Sequence, residues 1–182
     1  MIAVHARYRG KEKGRAQLVK RSAEALSTLP GVGTFEVVGV EDIRAHVDTP
    51  DDALNVIMAL LSDGNWTIGL GITVRGPALS AATEAAGRKP GSVGVSTEAD
   101  GSAAADIAAT FALIAHVLLK RTLEGREATA LVRRGMNQNE AAEALGISKQ
   151  AMSQRLQAAG WQAEQAGVTL ALNLIRRAAQ LD

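Results

Sequence analysis

The stretch that most constrains this chain is "NQNEAAEALGISKQAMSQRLQAAG", residues 137–160, which reads as two short helices crossing steeply over a tight turn. Such a crossing makes demands on residue size. Ala141 and Ala142 put small side chains where the second helix must come close, and Leu145 supplies an apolar contact just before the turn. Gly146 stands where the chain needs a left-handed conformation, and Ser148 is placed to cap the next helix. Ile147 drops inward, joined by Met152 and Leu156 one turn apart. Ser148, Lys149, Gln150, Ser153, Gln154 and Gln157 are left on the outer face.

A plain αα-hairpin also uses small residues and glycine. Two features set this one apart: the second helix lacks the Glu and Lys pairs of an ordinary solvated face, and its surroundings are basic. Long amides, a lysine and hydroxyls are the side chains that address base edges in a major groove. Arg126, Arg133 and Arg134 on the preceding helix, with Arg155, are placed to meet phosphates. The expected partner is double-stranded DNA. Operators are commonly two-fold, so one reading helix per chain implies a homodimer. The dimer surface stays open at this stage among the sheet, the linking helix and a last helix carrying Leu170, Leu174, Ala178 and Leu181.

Upstream, the pattern changes to that of a sheet with helices. "MIAVHARY" alternates, with Ile2, Val4, Ala6 and Tyr8 on one face and His5 and Arg7 on the other, the period of a half-buried strand. A helix is predicted over residues 13–29, then a hairpin from "TFEVVGV" and "DIRAHV", then a helix in "DTPDDALNVIMALL" and a strand in "WTIGLGITV". The order β-α-β-β-α-β is that of a ferredoxin-like sheet. A short helix in "GPALSAATEAAG", an edge strand in "GSVGVS" and a long helix over residues 104–123 follow, with Gly125 as the boundary. The expected class is α+β: a ferredoxin-like sensing or dimerisation domain over 1–100, a linking helix over 101–124 and a helix-turn-helix domain over 125–182.

Charge and chemistry narrow the function further. Twenty Lys and Arg against 19 Asp and Glu give no overall positive field, so a nucleic-acid footprint must be local. With no cysteine, thiolate metal sites and cysteine nucleophiles are excluded. "MIAVHA" runs at once into "RYRGKEKGR" and no apolar run approaches a membrane span, so a cytoplasmic protein without membrane contact is expected. Asp48, Asp51 and Asp52 suit helix capping, His5, His46 and His116 lack metal-site spacing, and the glycines form no dinucleotide fingerprint. No catalytic residue, metal or cofactor is expected. Arg7, Arg9 and Lys11, with Lys13 and Arg15, lie at a strand-to-helix junction that could hold an anionic effector or DNA phosphate, or form a solvated basic edge.

"GMNQNEAAEALGISKQAMSQRLQAAGW" resembles the helix-turn-helix of SatD-family proteins and, more loosely, that of sigma-region-4 and LuxR-type regulators. "FEVVGVEDIRAHVDTPDDAL" and "IGLGITVRGPALSAATEA" extend the SatD resemblance over nearly the whole chain. It implies a bacterial transcription regulator with a degenerate cyclase-like N-terminal domain. Relatives commonly place metal-binding carboxylates in a turn after the first strand and in a "GDEFQ"-like hairpin. Here these stretches read "HARYRG" and "VEDIR", with Ala6 near the first position and Glu41 or Asp42 near the second, so nucleotide cyclisation is not expected. A nucleotide-sensing or nucleotide-processing protein, and a protein-interaction module, are the alternatives.

Overall fold

The computed structural model describes residues 1–99 and 101–179, an α+β chain with a five-stranded mixed sheet and eight helices. The first six elements follow in the expected order: β1 (Ile2–Tyr8), α1 (Arg15–Leu26), β2 (Glu36–Val38), β3 (Asp42–Val47), α2 (Pro50–Asp63) and β4 (Trp66–Ile72). Then come α3 (Ala78–Ala85), β5 (Ser92–Thr97), α4 (Ala103–Leu119), α5 (Leu123–Arg133), α6 (Gln138–Ala144), α7 (Lys149–Ala158) and α8 (Trp161–Ala179). The strand order is β2-β3-β1-β4-β5, antiparallel throughout except for the parallel pair β4–β5.

Alternation along β1 assigns the two faces of the sheet. Ile2, Val4, Ala6 and Tyr8 enter the main core with Val19, Ala23 and Leu26 of α1, Ile57 and Leu60 of α2, and Phe111 of α4. Tyr8 meets Trp66 of β4 edge to face, ring centroids 5.1 Å apart. Ala3 points the opposite way into a smaller cluster with Ala78 and Ala82 of α3. That second face works only because β4 and β5 carry glycine where α3 comes closest. A Cβ on Gly69 would lie 1.9 Å from the Ala82 carbonyl oxygen, and one on Gly94 would lie 1.9 Å from that of Ala85.

Local signals set the ends of α2 as the sequence leads one to expect. Thr49 and Asp52 form a reciprocal capping box, Pro50 opens the helix, and Gly64 closes it in the left-handed region. Asp51 is taken up differently: its carboxylate accepts from Arg176 of α8 at 2.9 Å.

Three expectations change. The helix expected over 13–29 is shorter, because Gly14 enters the left-handed region before it and the last turn closes at Leu26. The long helix expected over 104–123 stops at Leu119, and α5 starts at Leu123 after a bend of 119°. Gly125 accordingly falls inside α5 rather than in the turn before it. It sits buried inside α5, where a Cβ would come 3.2 Å from that of Ala159. The last helix does not belong to the helix-turn-helix alone. Its Ala171, Ile175 and Ala178 are buried in the main core beside α4, and a Cβ on Gly167 would lie 2.8 Å from Ile114. Leu181, expected on the same stripe, lies outside the described residues. No single helix among the described residues is long and apolar enough to cross a membrane.

Gly69→Ala is expected to destabilise the protein by about 1–3 kcal/mol or more in urea unfolding, because backbone rather than a mobile side chain blocks the added methyl. Gly87→Ala, whose Cβ would meet only the Ser92 hydroxyl at 3.7 Å, is the matched control and should lie within about 0.5 kcal/mol of the parent. Equal stability of the two variants would refute the close seating of α3.

Candidate nucleic-acid interface

Helices α5, α6 and α7 form a unit with its own core: Ala128, Ala141, Ala142, Met152 and Leu156, packed against Leu131, Val132, Leu145, Ile147 and Trp161. Each helix start is capped. The Thr122 hydroxyl accepts from Gly125 N, Asn137 and Glu140 make a reciprocal capping box, and the Ser148 hydroxyl accepts from Ala151 N at 3.1 Å. Gly146 has φ of 64°, and two bonds close the turn around it: Gly146 N donates to the Glu143 carbonyl and Ile147 N to the Ala142 carbonyl, both at 3.0 Å. This closure aims α7 away from α6 and drops Ile147 into the small core. The expected packing residues are all used as expected.

The second helix presents a polar face. Ser148, Lys149, Gln150, Ser153, Gln154 and Gln157 are all exposed, while Met152 and Leu156 face inward. Only Ser148 is engaged locally, through its cap. Ser153 and Gln157 also line an open groove of about 430 Å³ with Gln138 and Trp161, between α7 and the start of α8.

The basic residues divide by environment. Arg126 and Arg134 are exposed on α5 and its cap, whereas Arg155 is half-buried. The Glu124 carboxyl is held below its usual range by its own backbone N–H and the Thr122 hydroxyl, with a smaller contribution from the Arg155 charge. Arg133 donates to Glu164 at 2.7 Å and lies over the Trp161 ring, 5.6 Å from its centroid. Arg121 donates to the other Glu164 oxygen and to the Ala159 carbonyl. Glu164 is 1% exposed, so one carboxylate ties the end of α4, α5 and α8 together.

Sequence reasoning missed Arg121 and Glu164. The signal was positional: Glu164 falls on the α8 stripe of Ala171, Ile175 and Ala178, and Arg121 continues the α4 stripe of Ile107, Phe111, Ile114 and Leu118. Two opposite charges on two inward stripes predict a buried pair.

The N-terminal basic run is paired internally. Arg7 forks onto Asp42 at 2.9 Å, Arg15 reaches Glu41 at 2.5 Å, and Arg9 lies 3.5 Å from Glu41, while Lys11 is exposed. Glu41 and Asp42, the carboxylates nearest the second metal position of the resemblance, are therefore held by arginines. Among the described residues no group of three potential ligands gathers for a metal ion.

His5 is nevertheless more than an isolated histidine. It is buried beneath α3, with Nδ1 3.1 Å from the Thr83 hydroxyl and Nε2 3.3 Å from an Asp42 oxygen, the latter an ion-pair distance without hydrogen-bond alignment. Burial pushes its pKa down, against the opposing pull of Asp42. Asp42 is pushed up by burial, but the Arg7 bonds and charge, with His5, outweigh this and hold it below its usual range.

Two predictions come from these groups. Glu164→Gln leaves Arg121 buried without its counter-charge and should cost about 3–5 kcal/mol in urea unfolding. Arg133→Ala, at the exposed end of the clamp, should cost distinctly less, and the reverse order would refute the assignment. For His5, the unfolded chain protonates first as pH falls below 6.5, so its contribution is full above that value and is lost on the way down to the lowered folded pKa. His5→Gln should flatten the fall in stability between about pH 7 and pH 5, measured by denaturant midpoints. A slope unchanged by the substitution would show that His5 is not its source.

No protein-family model, curated protein or solved structure matches the chain.

Proposed function

We propose that the protein binds double-stranded DNA through α6 and α7 and acts as a bacterial transcription regulator, by binding rather than by bond-breaking. The observation that carries this reading is the α7 face: six exposed polar residues on a helix whose start, tilt and inner packing are fixed by the Ser148 cap and the Gly146 turn. Such a face can enter a major groove with its amides free to pair with base edges. Arg126 and Arg134, exposed on the adjoining α5, supply cations for phosphate. A net charge of +1 means that the attraction is local to this unit.

On the same reading the N-terminal half is a ferredoxin-like domain of SatD type with a sensing or dimerising role, in a cytoplasmic protein acting as a homodimer. The antiparallel order β2-β3-β1-β4, with α1 and α2 sharing one core, supports the first part. β5 and α3 are additions, extending one edge and covering the second face. Arg7 and Arg9 enter as partners of Asp42 and Glu41, so an anionic effector there would have to displace a carboxylate.

The test is selection of bound sequences from random DNA with the full chain, followed by titrations on the selected site. Gln150→Ala or Gln154→Ala should relax preference at one base position and cost about 1–3 kcal/mol there. Arg126→Ala and Arg134→Ala should weaken selected and random DNA alike and lower the salt slope by about one each. Arg133 is a poorer probe, because its loss also releases Glu164. No enriched sequence, and no binding at low salt, would overturn the proposal and leave the helical unit as a protein-interaction module.

A further inference from the structure

Helix α4 is the most apolar helix of the chain, yet only one of its faces is used. Ile107, Phe111, Ile114 and Leu118 are buried in the main core. On the opposite side Ser102, Asp106, Ala109, Leu113, His116 and Lys120 are all exposed, Leu113 at 71%. Their spacing is four, three, four, three, four, the seam by which one helix packs along another at a shallow angle. A single exposed leucine is ordinary on a protein surface; what suits this face to another helix is its place at the centre of a seam with Asp106 on one side and His116 and Lys120 on the other.

The seam itself selects the partner. Reversed end to end, the series reads with the same spacing, and its midpoint falls at Phe111, between Ala109 and Leu113. Laid antiparallel on a second copy, each Leu113 fills the space above the other chain's Ala109. Each Asp106 faces the other chain's His116, a carboxylate opposite an imidazole that can donate to it. Each Lys120 faces Ser102 at the start of the other α4. A parallel arrangement instead sets Asp106 against Asp106 and Lys120 against Lys120 and leaves Leu113 opposite Leu113. Of the competing surfaces, the last helix gives Ala171, Ile175 and Ala178 to the main core and leaves Leu170 exposed, and both faces of the sheet carry helices.

We infer that the outer face of α4 is a homodimer interface in which two copies pair antiparallel about a two-fold axis at Phe111. It rests on the α4 seam and needs no DNA, so its test is separate from that of the proposed function.

Sedimentation of the full chain without DNA should show a dimer. Leu113→Glu should weaken it by about a hundredfold or more, because two buried leucines are lost per dimer, while thermal unfolding of the exposed-site variant stays close to that of the parent. Asp106→Lys should weaken it as well, and Asp106→Lys combined with His116→Asp should restore it. The chain has no cysteine, so orientation can be read directly. Under oxidation, Ala109→Cys mixed with Leu113→Cys should cross-link between the two variants, with little linking of either variant to itself. A monomer at every concentration, a dimer untouched by Leu113→Glu, or self-linking of each single variant would overturn the inference.

Discussion

The carboxylate of Glu164 is the joint on which the arrangement of this molecule depends. It is buried, and both oxygens are taken by guanidinium groups, Arg121 from the end of α4 and Arg133 from the end of α5. A charge in that position is tolerable only when its partners are fixed, and fixing them fixes the helices that carry them. The 119° bend between α4 and α5 is thus held by an ion pair at its inner corner as well as by the three-residue link across it. Arg121 also donates to the Ala159 carbonyl at the end of α7. One cluster therefore sets the bend, the exit of α7 and the start of α8.

Helix α8 carries that order across the molecule. Trp161 packs in the small core of α5–α7, whereas Ala171, Ile175 and Ala178 pack in the main core. These two ends are separated by about 15 Å of helix, at 1.5 Å per residue. The cores are separate clusters, and a continuous helix bridging them resists relative motion better than a loop would. The closeness of α8 to α4 at Gly167 and Ile114 tightens that bridge.

Much of this was legible in the sequence where one residue type serves one local demand. The box of Thr49 and Asp52, the Ser148 cap, Gly146 in the left-handed region and the inward pair Met152 and Leu156 are each settled within a few residues of chain. What escaped depended on residues distant in sequence. Gly125 reads as a breaker until Ala159 is known to press on it, and Arg7 reads as a free cation until β3 brings Asp42 alongside. The end of α4 was missed because Lys120, Arg121 and Thr122 include no glycine or proline to mark the bend before Leu123. Periodicity does not register this turn: its local signal is the Thr122 cap of α5, and its further support is a carboxylate more than forty residues later.

The same logic separates the cations of a nearly neutral chain into those bound internally and those left on the surface. Of the arginines near the N-terminus, Arg7, Arg9 and Arg15 spend their charge on Asp42 and Glu41. Arg121 and Arg133 share the one buried glutamate, and Arg176 is held by Asp51. Arg126 and Arg134 remain exposed beside a helix face rich in amides, with Lys149 at its start. Within a Debye length of about 8 Å at physiological salt, the local balance governs what approaches, and the total charge of the molecule has little say. The internal pairing of these arginines leaves the exposed cations of the α5–α7 unit, together with those of other segments such as Lys11, Lys13, Lys20 and Arg21, as the charges a partner would meet.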